Sequence, residues 1–419
     1  MLSEVEPQAR SLTLDFAQGD RKLRMSPHDP EGDTFAPAPV DLRVALFSGN
    51  YNYTRDGANQ AQNLLVGHLL DAGVAVRVYS PTSRTPAFVA RGDVVDVPSV
   101  PFPGGRGEYR LGRGLPARPR RDLEAYRPNL VHVSSPEFLG HAAVTWARAH
   151  DVPVVAAVHT RFETYFQYYG LAMIQPGIRW ILRRFYNRAD RVLVPTASVA
   201  ETIRELGVET PISLWPRGVN HQRFHPSARS LEWRRSLGIA DDEVAIGFLG
   251  RLVLEKGLRV FAEVAAALRA RGVKHRVLVV GKGPAQQWFA EQTPDAAFAG
   301  FVTGDDLGRA VASMDVLFNP SVTETWGQVT SEAMAAGVPV VAARATGAVD
   351  LIEDGISGFL VTPQDVAGYA DAIARLVADP ALRARAGTAA HERAASFRWN
   401  TANEAVLTAY REVLATRRA

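Results

Sequence analysis

Two short apolar runs frame the stretch that most restricts how this chain can fold. Val316-Leu317-Phe318 reads as a buried parallel strand, and Val338 to Ala342 reads as the next one. Between them, Asn319-Pro320-Ser321 ends the first run and Gly327 frees the backbone to turn. From about Thr330 the residues favour a helix, which Gly337 and then Pro339 stop. Glu324 therefore sits on a loop at the C-terminal end of a strand. Glu332, with seven residues between the two, sits in the first turns of the following helix. In open α/β sheets that edge is where ligands bind. The free N–H groups of Trp326, Gly327 and Gln328, with the helix N-terminus, would face an anion or a set of hydroxyls. Two carboxylates beside such donors suit a polyhydroxylated ligand that also carries phosphate.

The same alternation recurs along the chain. Arg43 to Ser48, Val74 to Tyr79, Leu130 to Ser134, Val154 to His159 and Arg191 to Pro195 read as strands, with helices among them at about Asn59 to Ala72 and Ser198 to Leu206. After a change of composition over Ser227 to Asp242, Val244 to Leu249 and Arg276 to Val280 begin a second series. Helices at about Val366 to Ala378 and Trp399 to Thr416 close it. Strands alternating with helices throughout predict two Rossmann-like, doubly wound parallel sheets facing one cleft. The expected division is a flexible tail at 1–40, a first domain at 41–218, a linker at 219–242, a second domain at 243–396 and a helix at 397–419. No G-x-G-x-x-G follows the first strand, which disfavours a nicotinamide cofactor.

Composition narrows the setting. A chain of 419 residues has room for two domains with sizeable cores. Its 47% hydrophobic and 22% charged residues describe a soluble globular protein. No apolar run approaches the roughly 18–20 residues of a spanning helix, and no apolar segment near the N-terminus reads as a signal peptide. With zero cysteines there is neither a disulfide framework nor a thiolate site, and the cytoplasm is the expected compartment. A net charge of +3 is too small to argue for nucleic acid. Its distribution says more: residues 101–200 hold fourteen Arg against seven Asp and Glu, a local excess of +7.

The pattern S-x-x-E-x-x-G-x-x-x-x-E-A-M-A-x-G-x-P-V-V, Gly250-Arg251 with Lys256-Gly257, and Trp215-Pro-Arg217-Gly-Val-Asn220 together resemble family 4 retaining glycosyltransferases of GT-B architecture, over about residues 42–400. Pro-Arg217-Gly-Val and Thr-Glu324-Thr-Trp-Gly-Gln328 look most like the bacterial α-mannosyltransferases and sulfoquinovosyl transferases that build glycolipids. The resemblance implies that Glu332 binds the donor ribose, and that Glu324 with the amides of Thr325, Trp326, Gly327 and Gln328 binds the donor sugar. It implies that Gly250, Arg251 and Lys256 hold the diphosphate, and that His159 lies beside donor sugar and acceptor. It places the base near Gly281 and Gly300 to Val302, including Phe301, and sends the last helix back onto the first domain. Two positions depart from the family pattern. Asp56 replaces the first of a usual Gly-Gly pair, so Gly57 is either a phosphate contact or a plain turn glycine. Asn220 stands where the family usually has Asp.

Arg251 and Lys256 follow a strand, with Gly250 and Gly257 clearing space. Fixed cations there would stabilise a leaving nucleoside diphosphate most as its bond breaks. No D-x-D follows a strand, no H-E-x-x-H occurs and the ten histidines are scattered, so no metal is expected. The donor is expected to be a GDP- or UDP-sugar, with no separate cofactor. Glu163 is the nearest candidate for a general base. Without one, the resemblance suggests a front-face reaction in which the donor phosphate takes the acceptor proton. Arg161, Tyr165 and Tyr169 are candidates for the acceptor side. In Gly177 to Arg188, spacing puts Ile178, Ile181, Leu182 and Phe185 on one side, with Arg179, Arg183 and Arg184 beyond. That reads either as an ordinary amphipathic helix or as a surface meeting anionic lipid. The expected partners are a nucleotide sugar and a lipid acceptor, with peripheral attachment to the inner face of the cell membrane. The rival readings are a sugar-nucleotide epimerase or phosphorylase on the same fold, a transferase for a soluble sugar or polysaccharide, and a silent sugar-nucleotide-binding module.

Overall fold

The computed structural model describes residues 41–54, 56–101, 110–161 and 175–418. Its first sheet is built from β1 (Arg43–Phe47), β2 (Ala75–Ser80), β3 (Asp93–Asp96), β6 (Leu130–Val133), β7 (Val154–Ala157), β8 (Arg191–Val194) and β9 (Ile212–Leu214). The short strands β4 (Ser99–Pro101) and β5 (Arg110–Gly112) pair antiparallel to each other beside it. The second sheet holds β10 (Ala245–Leu249), β11 (Arg276–Val280), β12 (Ala297–Gly300), β13 (Val316–Asn319), β14 (Val340–Ala343) and β15 (Gly358–Val361). Every pairing in the two sheets is parallel. The sequences LVHV, VVAA and RVLVV show why: helices cover both faces, so these strands are apolar at successive positions and do not alternate.

The strand orders are 3-2-1-6-7-8-9 and 12-11-10-13-14-15. Each sheet reverses direction once, between β1 and β6 and between β10 and β13. At such a switch point the two flanking connections leave on opposite faces, and a crevice opens at the C-terminal ends of the strands. Thus the loop after β10 stands beside the loop after β13, although 68 residues separate their functional side chains, Lys256 and Glu324.

The segment joining the sheets is fastened to the second one. Arg234, with a fully enclosed side chain, donates to Asp315 Oδ2 at 2.8 Å and to the Ser313 carbonyl at 2.9 Å. Arg229 takes the other Asp315 oxygen at 2.7 Å. The last helix, Trp399–Arg418, lies against the first sheet. Buried Tyr410 lies with its hydroxyl 2.7 Å from His132 Nδ1 on β6. Arg417 bridges Asp151 at 2.6 Å and Asp190 at 3.0 Å. Among the described residues no helix is long and apolar enough to cross a membrane.

Candidate active site

At the second sheet's switch point, Lys256 Nζ donates to Glu324 Oε1 at 2.6 Å. Lys256 ends the short turn Leu254–Lys256, and Gly257 then starts the helix Leu258–Ala270. Arg251 lies exposed on the same loop. The turn depends on Gly281, whose φ is +138°. A Cβ there would come within 1.9 Å of the Gly250 carbonyl oxygen, so only glycine lets the loops after β10 and β11 approach this closely.

Gly327, at φ +93°, opens the helix Gln328–Ala335, which carries Glu332 in its second turn. Glu332 is partly buried. Burial pushes its pKa up to about 7, against the pull of the Gln328 amide and the Arg223 charge. Gln328 Nε2 donates to Glu332 Oε1 at 3.4 Å and to the Gly218 carbonyl at 3.2 Å, tying this helix to the interdomain segment.

The first domain closes over this site. Thr325 Oγ1 donates to the His159 carbonyl at 2.9 Å, and Thr196 Oγ1 donates to the Thr325 carbonyl at 3.2 Å. The Ser198 hydroxyl hydrogen-bonds to Asp350, and the Gly347 N–H donates to Ser198 Oγ at 3.2 Å. Arg161 Nη1 donates to Thr346 Oγ1 at 3.2 Å, so this proposed acceptor residue reaches the second domain. His159, just beyond β7, is partly buried; desolvation, then the charge of Arg217 and the neighbouring His132, hold its pKa well below the usual histidine value.

Not every side chain singled out in the sequence points into the cleft. The ring of Trp326 is buried in the second core, donating to Ser331 Oγ at 3.2 Å and meeting Phe397 edge-on at 5.4 Å. Only its backbone faces the loop. Phe301 is 64% exposed just beyond β12, while Val302 packs against the core. Gly57 lies at the cleft, with the Gln328 side chain 4.0 Å from where its Cβ would be. The helix it opens, Gly57–Asp71, is already capped by Asp56, whose carboxylate accepts from the Asn59 N–H at 2.9 Å. Burial raises the Asp56 pKa against the N–H groups of Asn59 and Ala58, the Asn50 amide and the Lys256 charge. Tyr165, Tyr169 and Glu163 lie outside the described residues.

Three groupings, two at the candidate site and one on the loops after β1 and β6, carried no sequence signal. Arg217 Nη2 lies 3.0 Å from His159 Nδ1 across 58 residues. Asp56 sits within electrostatic reach of Lys256. Glu137, just beyond β6, packs its carboxyl against Gly49, and burial pushes its pKa up to about 7. Among the described residues no group of three or more His, Cys, Asp or Glu side chains is placed to hold a metal ion.

The chain has relatives both in sequence and in fold. The family model Glycosyltransferase Family 4 matches residues 56–223, and the model Glycosyl transferases group 1 matches residues 243–379. A GDP-mannose-dependent alpha-mannosyltransferase of Corynebacterium glutamicum is 30% identical over 378 residues, covering 89% of this chain and 90% of that one. Alpha-monoglucosyldiacylglycerol synthase of Streptococcus pneumoniae is 25% identical over 340 residues, 78% of this chain and 77% of that one. Sucrose-phosphate synthase of Thermosynechococcus elongatus superposes with a TM-score of 0.72 at 21% identity, over 90% of this chain and 100% of that one.

Proposed function

Because this chain belongs to glycosyltransferase family 4 and has the GT-B fold, we propose that it moves a hexose from a nucleotide diphosphate sugar to a membrane lipid with retention, forming an α-glycosidic bond without a metal. The observation that carries this reading is the Lys256–Glu324 pair beside Arg251, facing His159 across the switch-point cleft. In the reaction, the bond from the anomeric carbon to the β-phosphate oxygen breaks, and its electrons stay on that oxygen. The acceptor hydroxyl adds to the same face and its proton passes to the departing phosphate. Arg251 and Lys256 then balance a charge that grows as the bond breaks. Glu324, steered by Lys256, accepts from sugar hydroxyls, and Glu332 accepts from the ribose. The names of the relatives make GDP-mannose the first donor to try and a diacylglycerol-type lipid the first acceptor.

Donor binding tests the site directly. A nucleotide sugar at about 100 times its dissociation constant should add roughly 2.7 kcal/mol of stability in a thermal-shift screen. Ribose hydroxyls donate to a carboxylate better than to a neutral acid. With the Glu332 pKa at about 7, affinity should fall as the pH drops below that value, approaching tenfold per unit. Glu332→Gln should bind weakly at every pH. A Glu332→Gln protein with wild-type affinity removes this residue from the site, and binding without transfer or hydrolysis favours a silent module.

The lipid acceptor rests on the helix Gln175–Tyr186. Leu182, Phe185 and Tyr186 are buried and Ile178 packs on the core, while Ile181 is 42% exposed beside Trp180 at 63%. The spacing had put Ile181 inward. At 100° per residue it lies about 40° beyond Phe185, on the flank of the stripe formed with Ile178 and Leu182, where the roll of the helix against the core leaves it toward solvent. Trp180, Arg183, Arg184, Asn187 and Arg188 line a surface pocket of about 290 Å³. An apolar pair rimmed by arginines fits an anionic bilayer, where each basic residue contributes about 1 kcal/mol. Vesicle flotation should show binding at low salt that weakens steeply with salt, because screening acts over about 8–10 Å. Retained binding after Arg179, Arg183 and Arg184 all become Glu would sink the membrane reading.

A further inference from the structure

We propose that Arg217 is a positioning residue that holds His159 in the tautomer with its proton on Nε2, so that the ring offers an N–H donor to the transferred sugar. The proposal rests on the reading above that His159 borders the donor. Its basis is a contact between a buried arginine and a partly buried histidine from distant segments. Arg217 Nη2 lies 3.0 Å from His159 Nδ1. A guanidinium has five donors and no acceptor, so Nδ1 must supply the lone pair. A protonated ring would set donor against donor. Burial lowers the Arg217 pKa only to about 9, so it stays charged at neutral pH. The ring is therefore neutral, and its one proton is on Nε2.

Among the described residues that proton has no acceptor: the Nε2 atom of His159 is enclosed and makes no hydrogen bond to them. An enclosed donor left unsatisfied is destabilising, and a hydroxyl or phosphate oxygen of a bound donor would relieve it. The surroundings keep the ring aimed. Trp215 meets it edge-on at 5.2 Å and an interplanar angle of 74°, and Thr325 of the second domain holds its backbone carbonyl.

Arg217 is itself anchored. It is only 6% exposed. Its Nη1 donates to the Trp215 carbonyl at 2.7 Å and the Pro216 carbonyl at 3.2 Å, and its guanidinium lies 4.3 Å over the Trp215 ring. All these partners are neutral. A buried cation in this setting polarises the imidazole through Nδ1, which makes Nε2–H a stronger donor toward an oxygen gaining negative charge.

Nitrogen-15 NMR of histidine-labelled, full-length protein tests this without turnover. The expected result is a neutral His159 with Nε2 protonated and Nδ1 bare, whose Nε2–H signal moves when GDP-mannose or UDP-glucose binds. Arg217→Ala should populate the Nδ1–H tautomer and lower turnover by roughly 10²-fold, the scale of one lost transition-state donor, with a smaller change in donor KM. Arg217→Lys, which also only donates, should restore the tautomer and most of the rate. A wild-type ring protonated on Nδ1 overturns the proposal, even if Arg217→Ala fails to fold. So does Arg217→Ala with unchanged tautomer and rate. An intact Nε2–H signature that responds to nucleotide sugar, in a protein that transfers nothing, would sink glycosyl transfer and leave the role of Arg217 standing.

Discussion

Replacing Lys256 with alanine is expected to lower turnover by roughly 10²–10³-fold, with donor affinity changing far less. The ammonium lies 2.6 Å from Glu324 Oε1, on the loop that also carries Arg251. In the ground state a diphosphate already carries its charge, and Arg251 and the loop amides share it. As the glycosidic bond breaks, one more negative charge collects on the leaving oxygen, and that increment is what a fixed cation stabilises. Arg251→Ala should behave alike. The ion pair is partly exposed, at 33% and 16% for the two side chains, so its loss should hardly move the melting temperature. Lys256→Ala also leaves Glu324 uncompensated beside the phosphates. Lys256→Ala with Glu324→Gln therefore isolates the catalytic cation from this repulsion. If either cation variant changed only the Michaelis constant, the assigned role would be wrong.

The second large effect is structural. Gly281→Ala should destabilise the C-terminal domain by about 3 kcal/mol or more. The backbone at φ +138° is a region that side chains rarely adopt, which alone costs of order 1–3 kcal/mol. The added Cβ would also sit 1.9 Å from the Gly250 carbonyl oxygen, a backbone atom that cannot rotate away. Overpacking of that kind adds about 1–3 kcal/mol. Gly250→Ala is the natural control: its φ is +140°, yet nothing lies within 4 Å of its Cβ, so it bears the conformational cost alone. Calorimetry should show the Gly281→Ala transition well below that of Gly250→Ala, together with lost donor binding as the loop bearing Arg251 shifts. Equal stability of the two variants would refute the close approach.

What was legible in the sequence was local. Runs such as VLFN and VVAA mark buried strands because both faces of a parallel sheet are covered, and Gly327 and Gly337 mark where the helix between them begins and ends. Those signals place Glu324 and Glu332 on the loop and helix where they are found. A carboxylate's position along a strand–loop–helix unit needs no knowledge of the rest of the chain. The direction in which a helix faces is less well determined. Ile181 sits on the flank of an amphipathic stripe, and its exposure depends on how the helix rolls against the core. Trp326 has an amide on the site loop, but its ring fills the second core.

The tertiary structure alone decided which distant groups meet. Lys256 reaches Glu324 because the strand order reverses between β10 and β13. Arg217 reaches His159 because the segment after β9 brings Trp215 and Arg217 against the residues that follow β7. Asp56 comes under the influence of Lys256 only when the two domains close on each other. Periodicity, glycine and capping residues act over a few positions, because they act through backbone torsions and the next turn. The order of strands and the closure of the cleft follow from packing two whole cores. The electrostatics of the candidate site, a histidine pKa lowered beside a buried arginine and a Glu332 pKa raised to about 7, exist only after that packing has displaced water.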